Sequence, residues 1–272
     1  MIIWLASYPK SGNTLVRSML SAYFFSQDGL YNFELIKNIK QFPHGGFFLK
    51  MGVDMSNQNE TLKNYIKAQE LFNKKNAIQF FKTHSFLFNF NKNYPFTNFD
   101  NTLGVIYIVR DPRNVVTSLS KFKSLTVDKT ADFMISGTGD GLVWTNNWSI
   151  NYQSWKILKE YQRYLLIKYE DLISKPDKIF LTILEFIYKL NKTNFELDKK
   201  KFENVIKSTS FDNMQNLEKE KGFNESSTDK SGKKIPFFNL GPKNDWRNKL
   251  ETQIVEKLEK AFKSEMEELG YL

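Results

Sequence analysis

The chain has 272 residues, of which 41% are hydrophobic and 25% are charged, and it contains no cysteine. This composition is typical of a folded globular protein, and it excludes a disulfide scaffold, a thiol nucleophile and any cysteine-ligated metal site. The two histidines, His44 and His84, are too few for a histidine-rich zinc site. The first residues do not have the pattern of a secretion signal, and no long apolar run is present. We therefore expect a cytoplasmic protein with no membrane span, formed by one domain over residues 1–272.

The charge balance favours an anionic partner. Lysine and arginine number 39 against 30 aspartates and glutamates, which gives a formal net charge of +9. Nucleic acid, phospholipid headgroups and phosphorylated small molecules would all be attracted to such a surface. The arginines are scarce, and Arg17, Arg110 and Arg113 fall in the two segments that carry the motifs described next. A guanidinium group suits the bidentate binding of phosphate.

A strand–loop–helix unit opens the chain. Residues 2–7 are an apolar run typical of a strand, residues 8–14 form a loop with proline and glycine, and apolar residues at helical spacing follow. A second unit starts with the β-branched run 103–109, which is typical of a buried parallel strand. This strand ends at Arg110, after which Asp111 suits a helix N-cap and Pro112 suits the first helical position.

Further helices and strands alternate along the rest of the chain. The spacing of apolar residues predicts strands over 77–82 and 164–169, and helices over 60–72, 148–161, 176–190 and 250–269. This alternation predicts an α/β fold, a single domain with a central parallel sheet flanked by helices and a P-loop-like phosphate-binding loop after the first strand. The stretches 42–58, 123–141 and 222–236 fit no element. Because long loops often cover a site, we expect 218–234 to act as a lid.

The first loop has the features of a phosphate cradle. A loop that enters a helix exposes unpaired backbone N–H groups to an anion, and the helix dipole adds partial positive charge. Lys10 supplies a full charge, Gly12 permits close approach, and Thr14 adds a hydroxyl. The string is not a Walker A loop, since its lysine precedes the glycine. The residues alone leave two interpretations open, a phosphate cradle and an ordinary turn with an exposed lysine.

Six segments in order resemble those of the cytosolic-type sulfotransferases, which take a sulfuryl group from 3′-phosphoadenosine 5′-phosphosulfate (PAPS). Residues 8–14 resemble the family's 5′-phosphosulfate loop, and residues 105–118 resemble its 3′-phosphate segment. Residues 82–84 are similar to the segment that carries the general base, and residues 169–172 to the segment whose tyrosine lies near the adenine. Residues 209–211 and 241–247 resemble two further nucleotide-binding segments.

The resemblance implies sulfuryl transfer from PAPS to a hydroxyl or amine by in-line attack, without a metal ion. His84 would be the general base, Lys10 would stabilise the leaving nucleotide, and Lys82 is a weaker catalytic candidate. The acceptor would be a small molecule, a glycan or a lipid, and no nucleic-acid partner is expected. The residues expected to bind the donor are Lys10, Ser11, Gly12, Asn13, Thr14, Arg110, Ser118, Tyr169, Thr209, Phe211, Gly241 and Lys243.

The C-terminal motif departs from the family pattern. Asn239 and Leu240 stand where better-known members have an arginine and a lysine that hold the 3′-phosphate. We expect Lys243, the nearest cation in the sequence, to substitute for that pair. In the first loop, Asn13 and Leu15 replace a common threonine and tryptophan.

Two other functions compete with a sulfotransferase. A P-loop nucleotide kinase would also need a phosphate cradle, and a basic nucleic-acid-binding protein would fit the charge. Among the remaining candidate residues, we expect His44 to be exposed or to cap a helix. Trp148 and Trp155 are expected to lie in the core.

Overall fold

A five-stranded parallel sheet, in the order β2–β3–β1–β4–β5, forms the centre of the protein in a computed structural model. The structure describes residues 1–73, 77–90, 93–140, 142–228, 231–232 and 234–272. The five strands are β1 (Ile2–Ser7), β2 (Lys40–Gln41), β3 (Gln79–Thr83), β4 (Thr102–Val109) and β5 (Tyr164–Lys168). Three short antiparallel pairs lie outside this sheet: Asn89–Phe90 with Tyr94–Pro95, Thr138–Asp140 with Val143–Asn146, and Ser227–Thr228 with Lys234–Ile235.

Helices lie on both faces of the sheet. The described residues form α1 (Asn13–Phe25), α2 (Gly45–Lys50), α3 (Gln58–Lys63), α4 (Tyr65–Glu70), α5 (Pro112–Lys123), α6 (Val127–Ser136), α7 (Trp148–Trp155), α8 (Tyr169–Ser174), α9 (Pro176–Asn191), α10 (Lys199–Ser208), α11 (Phe211–Lys221), α12 (Thr252–Ala261) and α13 (Lys263–Glu268). Short 3₁₀ turns occupy Leu35–Asn38, Lys156–Lys159, Gly241–Lys243 and Trp246–Asn248.

The central strand β1 is buried on both faces, which explains its continuous apolar sequence. Successive side chains of a strand point to opposite faces. Trp4 accordingly packs in a core with the aromatic residues of α4 and α7, whereas Ile3 and Leu5 pack in a second core under α1 and α9. The predicted α/β fold with a central parallel sheet flanked by helices is confirmed.

The start of α5 was predicted correctly from Arg110, Asp111 and Pro112. The Asp111 side chain caps the helix by accepting a hydrogen bond from the Arg113 backbone N–H, and Pro112 takes the first turn. His44 also caps a helix, since its Nδ1 accepts a hydrogen bond from the Gly46 N–H at the start of α2. Trp148 and Trp155 are buried in the core, as expected.

Several predicted boundaries were wrong. The helix predicted over 60–72 is divided at Asn64 into α3 and α4, and the C-terminal helix is divided at Phe262 into α12 and α13. The stretches 42–58 and 123–141 contain α2 and α6, which begin at the side-chain caps His44 and Thr126. Residue 141 and residues 229, 230 and 233 of the predicted lid lie outside the described residues.

The topology places three loops side by side. β1 pairs in parallel with β3 on one side and with β4 on the other, so the carboxyl ends of these strands meet at one edge of the sheet. The residues that follow the three strands are the loop 8–12, His84 and Arg110. Ligands bind at such edges of parallel sheets. Among the described residues, no helix is long and apolar enough to cross a bilayer.

Candidate active site

A cavity of about 820 Å³ lies at this edge of the sheet. Fourteen different residues were predicted for the site, and the cavity is lined by all of them except Ser11 and Lys243. Its walls come from the loop after β1, from α5 and α8, and from residues 235–244. The structure therefore brings the predicted residues together from six separate segments of the chain.

The first loop adopts a conformation that depends on Gly12. Lys10 and Gly12 have φ values of 65° and 99°, and α1 begins directly afterwards at Asn13. A Cβ atom at position 12 would lie 2.4 Å from Cδ2 of Tyr169. Gly12 is thus required by its backbone angle and by the approach of the tyrosine ring.

The Lys10 side chain projects into a partly apolar environment. Its Nζ lies 4.1 Å from the ring centroid of Phe237 and 4.4 Å from that of Phe122. Burial, together with the charges of Lys82 and Arg110, lowers the pKa of Lys10 to about 8. The interpretation of Lys10 as an ordinary exposed lysine is therefore wrong, because the cavity encloses its ammonium group.

The hydrogen bonds of His84 determine which ring nitrogen is basic. Nδ1 lies 2.8 Å from the backbone oxygen of Ser7, and 3.2 Å from the Ser7 Oγ. A carbonyl oxygen only accepts, so Nδ1 carries the proton and the lone pair of the neutral ring is on Nε2. Burial and the nearby Lys82 lower the pKa of His84 to about 3, so the ring is neutral near pH 7.

A buried network holds the backbone around His84. The Asn151 Nδ2 donates to the backbone oxygens of His84 and Thr145, at 2.9 and 2.7 Å, and its Oδ1 accepts from the Tyr107 hydroxyl at 2.7 Å. Ser7, Tyr107 and Asn151 position His84, and sequence reasoning missed all three. Tyr107 lies on β4 and Asn151 on α7, and the apolar sequence of these elements indicates only core packing. Nothing in the sequence therefore pointed to their contact with His84.

Glu225 is the acidic residue that lines the cavity within the described part of the chain. Its carboxylate lies 2.6 Å from Nη1 of Arg17 and 3.4 Å from Nζ of Lys82. Burial would raise the pKa of Glu225, but Lys82 and Arg17 outweigh that effect and lower the pKa to about 2. Burial also lowers the pKa of Lys82. Sequence reasoning missed Glu225, which lies in a polar stretch without a motif.

Arg110 lines the cavity beside the first loop. Its Nη1 donates a hydrogen bond to the backbone oxygen of Lys10 at 3.1 Å. Its Cζ lies over the Tyr169 ring, 4.2 Å from the ring centroid. The buried Nε makes no hydrogen bond. Ser118, on α5, also lines the cavity. Arg110 is thus fixed in place while retaining a free donor for an anion.

The C-terminal motif docks on the start of α5. The Asn244 Nδ2 donates to the Asn114 backbone oxygen at 2.9 Å, and the Trp246 N–H donates to the Asn114 Oδ1 at 3.0 Å. This docking brings Gly241 against Phe211, where a Cβ would lie 2.1 Å from Cε2 of the ring. Gly241 and Phe211 are therefore packing partners at the wall of the cavity.

Lys243 does not line the cavity and its side chain is exposed, in contrast to the expectation that it substitutes for the missing basic pair. Lys121 lines the cavity. Lys249 is exposed and does not line the cavity either, but its Nζ donates to the Asn244 Oδ1 at 3.2 Å. Burial lowers the pKa of Lys249, and the charges of Lys121 and Arg110 lower it further, so these three cations lie near one another.

Three other predicted residues have internal roles. The Asn13 Nδ2 donates to the Leu5 backbone oxygen at 2.8 Å and to the Ser7 Oγ at 3.1 Å, so this amide group holds the loop against β1. Ser11 is fully buried, and its Oγ makes no hydrogen bond. The Thr209 Oγ1 donates to the Val205 backbone oxygen at 2.7 Å within α10.

Comparison with known proteins identifies the family. A profile of the sulfotransferase domain matches residues 2–270, nearly the whole chain. The chain belongs to the sulfotransferase family. The prediction of an enzyme of this family is confirmed.

Curated relatives share about a quarter of their residues with this sulfotransferase. Cytosolic sulfotransferase 13 of Arabidopsis thaliana is 24% identical over 97% of this chain and 76% of its own length. Sulfotransferase 2A1 of Homo sapiens is 25% identical over 65% of this chain, a match that spans 61% of the human protein. Flavonol 3-sulfotransferase of Flaveria bidentis is 25% identical over 98% of this chain and 82% of its own length.

Solved structures share the fold. Mouse sulfotransferase SULT7A1 complexed with PAP has a TM-score of 0.60 at 20% identity, covering 97% of this chain and 84% of that chain. Retinol dehydratase in complex with androsterone and inactive cofactor PAP has a TM-score of 0.63 at 16% identity, covering 97% of this chain and 80% of that one. At these identities the similarity establishes the α/β architecture.

The charge of Glu225 should make stability depend on pH. The folded-state pKa, about 2, is below the usual value of 4.5, so the stabilisation is present above pH 4.5 and is lost as the pH falls towards 2. We expect Glu225→Gln to lower the free energy of unfolding by about 2–3 kcal/mol at neutral pH. The difference from wild type should shrink by more than half at about pH 3.

Urea denaturation at both pH values measures this effect. Glu220→Gln is the matched control, because Glu220 is exposed on α11 and should change stability by less than about 0.5 kcal/mol. A difference between wild type and Glu225→Gln that is the same at both pH values would contradict the ionic role of Glu225.

Proposed function

We propose that this sulfotransferase transfers the sulfuryl group of PAPS to the hydroxyl or amine of a small-molecule, glycan or lipid acceptor. One observation carries the proposal: Lys10, Lys82 and the free Nε2 of His84 face one cavity from adjacent strand ends. PAP, which is PAPS without its sulfuryl group, is present in the related mouse sulfotransferase and retinol dehydratase structures. Their shared fold supports the same donor here.

His84 acts as the general base in this proposal. The acceptor oxygen or nitrogen attacks sulfur, its proton passes to Nε2 of His84, and the bond between sulfur and the phosphate oxygen of the donor breaks. The hydrogen bond from Nδ1 to the Ser7 backbone oxygen orients the ring and stabilises the imidazolium that forms. An anionic donor near Lys82 offsets the charge that lowers the pKa of His84, so the base becomes stronger when the donor is bound.

Lys10 and the loop N–H groups stabilise the leaving nucleotide. Negative charge develops on the phosphate oxygen as the bond to sulfur breaks, and a positioned ammonium group in a partly apolar cavity opposes that charge effectively. Lys82 lies beside His84 on the same strand end, where it contacts the transferring group. The proposed chemistry uses the chain's own cations and needs no metal ion. Within the described residues, no group of three or more His, Asp or Glu side chains is arranged to hold a metal ion.

The nucleotide part of the donor binds at the opposite end of the cavity. Arg110, with its unpaired Nε, and Ser118 bind the 3′-phosphate, and Lys121 and Lys249 take the place of the absent basic pair. Tyr169 and Phe211 offer ring faces to the adenine. The proposal also assigns the protein to the cytoplasm, on the basis of its resemblance to a cytosolic relative.

A nucleotide kinase is less well supported. Phosphoryl transfer by P-loop enzymes needs carboxylates that hold Mg²⁺ near the cradle. Among the described residues that line the cavity, Glu225 is the one carboxylate, and it is neutralised by Arg17 and Lys82.

The two histidines give a matched test of the base. We expect His84→Ala to reduce turnover by about 10²-fold or more, because positioned proton transfer contributes about 10²–10⁴. His44→Ala removes a helix cap and a ring contact with Phe47 away from the donor site, so it controls for PAP affinity and should cost about 1 kcal/mol of stability. PAP affinity should be unchanged in both variants. Turnover of His84→Ala near the wild-type level, with PAP binding intact, would exclude His84 as the base.

The pKa of Lys10 predicts an alkaline limb in the pH profile. In the free enzyme Lys10 loses its proton near pH 8, so kcat/KM for PAPS should fall above that pH. Lys10→Arg keeps a positive charge to above about pH 12, so its limb should move to higher pH even though its rate is lower. A limb that stays near pH 8 in Lys10→Arg would assign it to another group. No fall is expected near pH 6.5, because the pKa of His84 is about 3.

Binding of two nucleotides tests the 3′-phosphate site. Arg110→Ala should weaken PAP by about 10- to 100-fold, the range of charge-assisted hydrogen bonds, and should affect adenosine 5′-phosphate far less. Lys249→Gln should also weaken PAP more than adenosine 5′-phosphate. The loss of PAP affinity should be only about fivefold, since the side chain is exposed. Lys243→Gln is the matched control and should change neither affinity. A larger loss for Lys243→Gln than for Lys249→Gln would restore the assignment made from the sequence.

A further inference from the structure

A second groove, which we call the lysine groove, adjoins the reaction cavity. It has a volume of about 820 Å³ and lies between the segment 32–50 and residues 221–225. Gln41 and Glu225 line both the groove and the reaction cavity. Gln41 pairs with Lys82 in the sheet, and Glu225 makes an ion pair with the same lysine. The groove therefore opens next to the residues that carry out the chemistry.

The rim of the lysine groove carries unpaired positive charge. Lys40, Lys50 and Lys221 line it, all three are exposed, and none makes an ion pair with any residue that the structure describes. The other charges of the groove compensate one another, since Arg17 pairs with Glu225 and Lys37 pairs with Glu34. The groove thus has three uncompensated cations, which come from β2, from α2 and from the end of α11.

The floor of the lysine groove is aromatic. Phe33 and Phe47 are half-buried, and Phe33 rests on the buried ring of Phe223, with ring centroids 4.6 Å apart. Flat rings favour a ligand with a planar apolar face, such as an aromatic ring or the apolar face of a sugar. The exposed lysines around them favour oxyanions such as carboxylate, phosphate or sulfate.

We propose that the lysine groove binds the acceptor, and that the acceptor is a ring compound that carries a fixed oxyanion in addition to its reacting group. The inference rests on the proposed sulfuryl transfer. The ring lies on Phe33 and Phe223, the oxyanion contacts Lys40, Lys50 or Lys221, and the reacting hydroxyl or amine extends past Gln41 towards His84. Because Gln41 and Glu225 line both the lysine groove and the reaction cavity, the acceptor can extend from one into the other.

Matched acceptor pairs test this proposal. 3-(4-Hydroxyphenyl)propionate is compared with its neutral amide, and N-acetylglucosamine 6-phosphate with N-acetylglucosamine, using labelled PAPS. The charged member of at least one pair should have a kcat/KM at least about fivefold higher, and the preference should weaken as salt screens the charges. The two pairs also distinguish an aryl acid from a sugar phosphate as the acceptor. Equal or better use of the neutral members in both pairs would overturn the proposal.

A triple variant assigns the preference to the groove. Lys40→Gln, Lys50→Gln and Lys221→Gln together should abolish the preference, because kcat/KM for the charged member falls to the level of the neutral member. Lys159→Gln, Lys178→Gln and Lys260→Gln make the same charge change at exposed lysines elsewhere and should retain the preference. Loss of the preference in both triple variants would show that overall charge, and not the groove, is responsible.

Binding measurements separate this proposal from the proposed function. If no acceptor is sulfated, isothermal titration of all four compounds into the PAP-saturated protein measures the groove directly. Binding of a charged member that is lost in the groove variant supports the proposal, and absence of binding by both charged members overturns it. Failure of PAP to stabilise the wild-type protein would instead contradict the choice of donor, whatever the behaviour of the lysine groove.

Discussion

The site depends on positive charges that are held at low solvent exposure without enough negative charge to balance them. Arg17, Lys82 and Arg110 are each at most 9% exposed, Lys10 lies between two phenylalanine rings, and Glu225 is the single described carboxylate among them. Desolvation penalises the charged form of a lysine, which explains why the pKa values of Lys10 and Lys82 are lowered. An anionic ligand reduces both this desolvation penalty and the repulsion among the cations. The charge of the cavity therefore favours an anionic ligand, independently of any single contact.

The fold and the donor half of the site were largely predictable because strands and motifs coincide. The apolar run 2–7 and the β-branched run 103–109 had to be buried parallel strands, and the polar residues that follow such strands must meet at one edge of the sheet. Lys10, His84 and Arg110 are these residues. Their place at this edge was readable from the sequence, because His84 and Arg110 directly follow strands and Lys10 is the third residue after one.

Other parts of the site could not be predicted, because their positions depend on tertiary packing. Glu225 reaches Arg17 and Lys82 from a polar stretch with no apolar periodicity, and only the folded chain shows that its carboxylate is buried between them. Lys249 lies beyond the C-terminal motif, and Lys243 was preferred for its place in the sequence. In the folded chain Lys243 is exposed and does not line the cavity. The missed helix α6 begins at a single capping threonine, a signal too local to outweigh a weak apolar pattern.

Glu225 links the two halves of the proposed mechanism. It borders the reaction cavity and the lysine groove, and its pKa of about 2 keeps it ionised across the pH range in which the protein would work. Withdrawing this carboxylate alone would leave Arg17 and Lys82 buried without a counter-ion, which is more costly than breaking an exposed ion pair. An anion that approaches Lys82 takes over part of the role of this counter-ion. In the proposed mechanism the sulfuryl group of the donor is such an anion, so donor binding and the ion pair of Glu225 act on the same lysine.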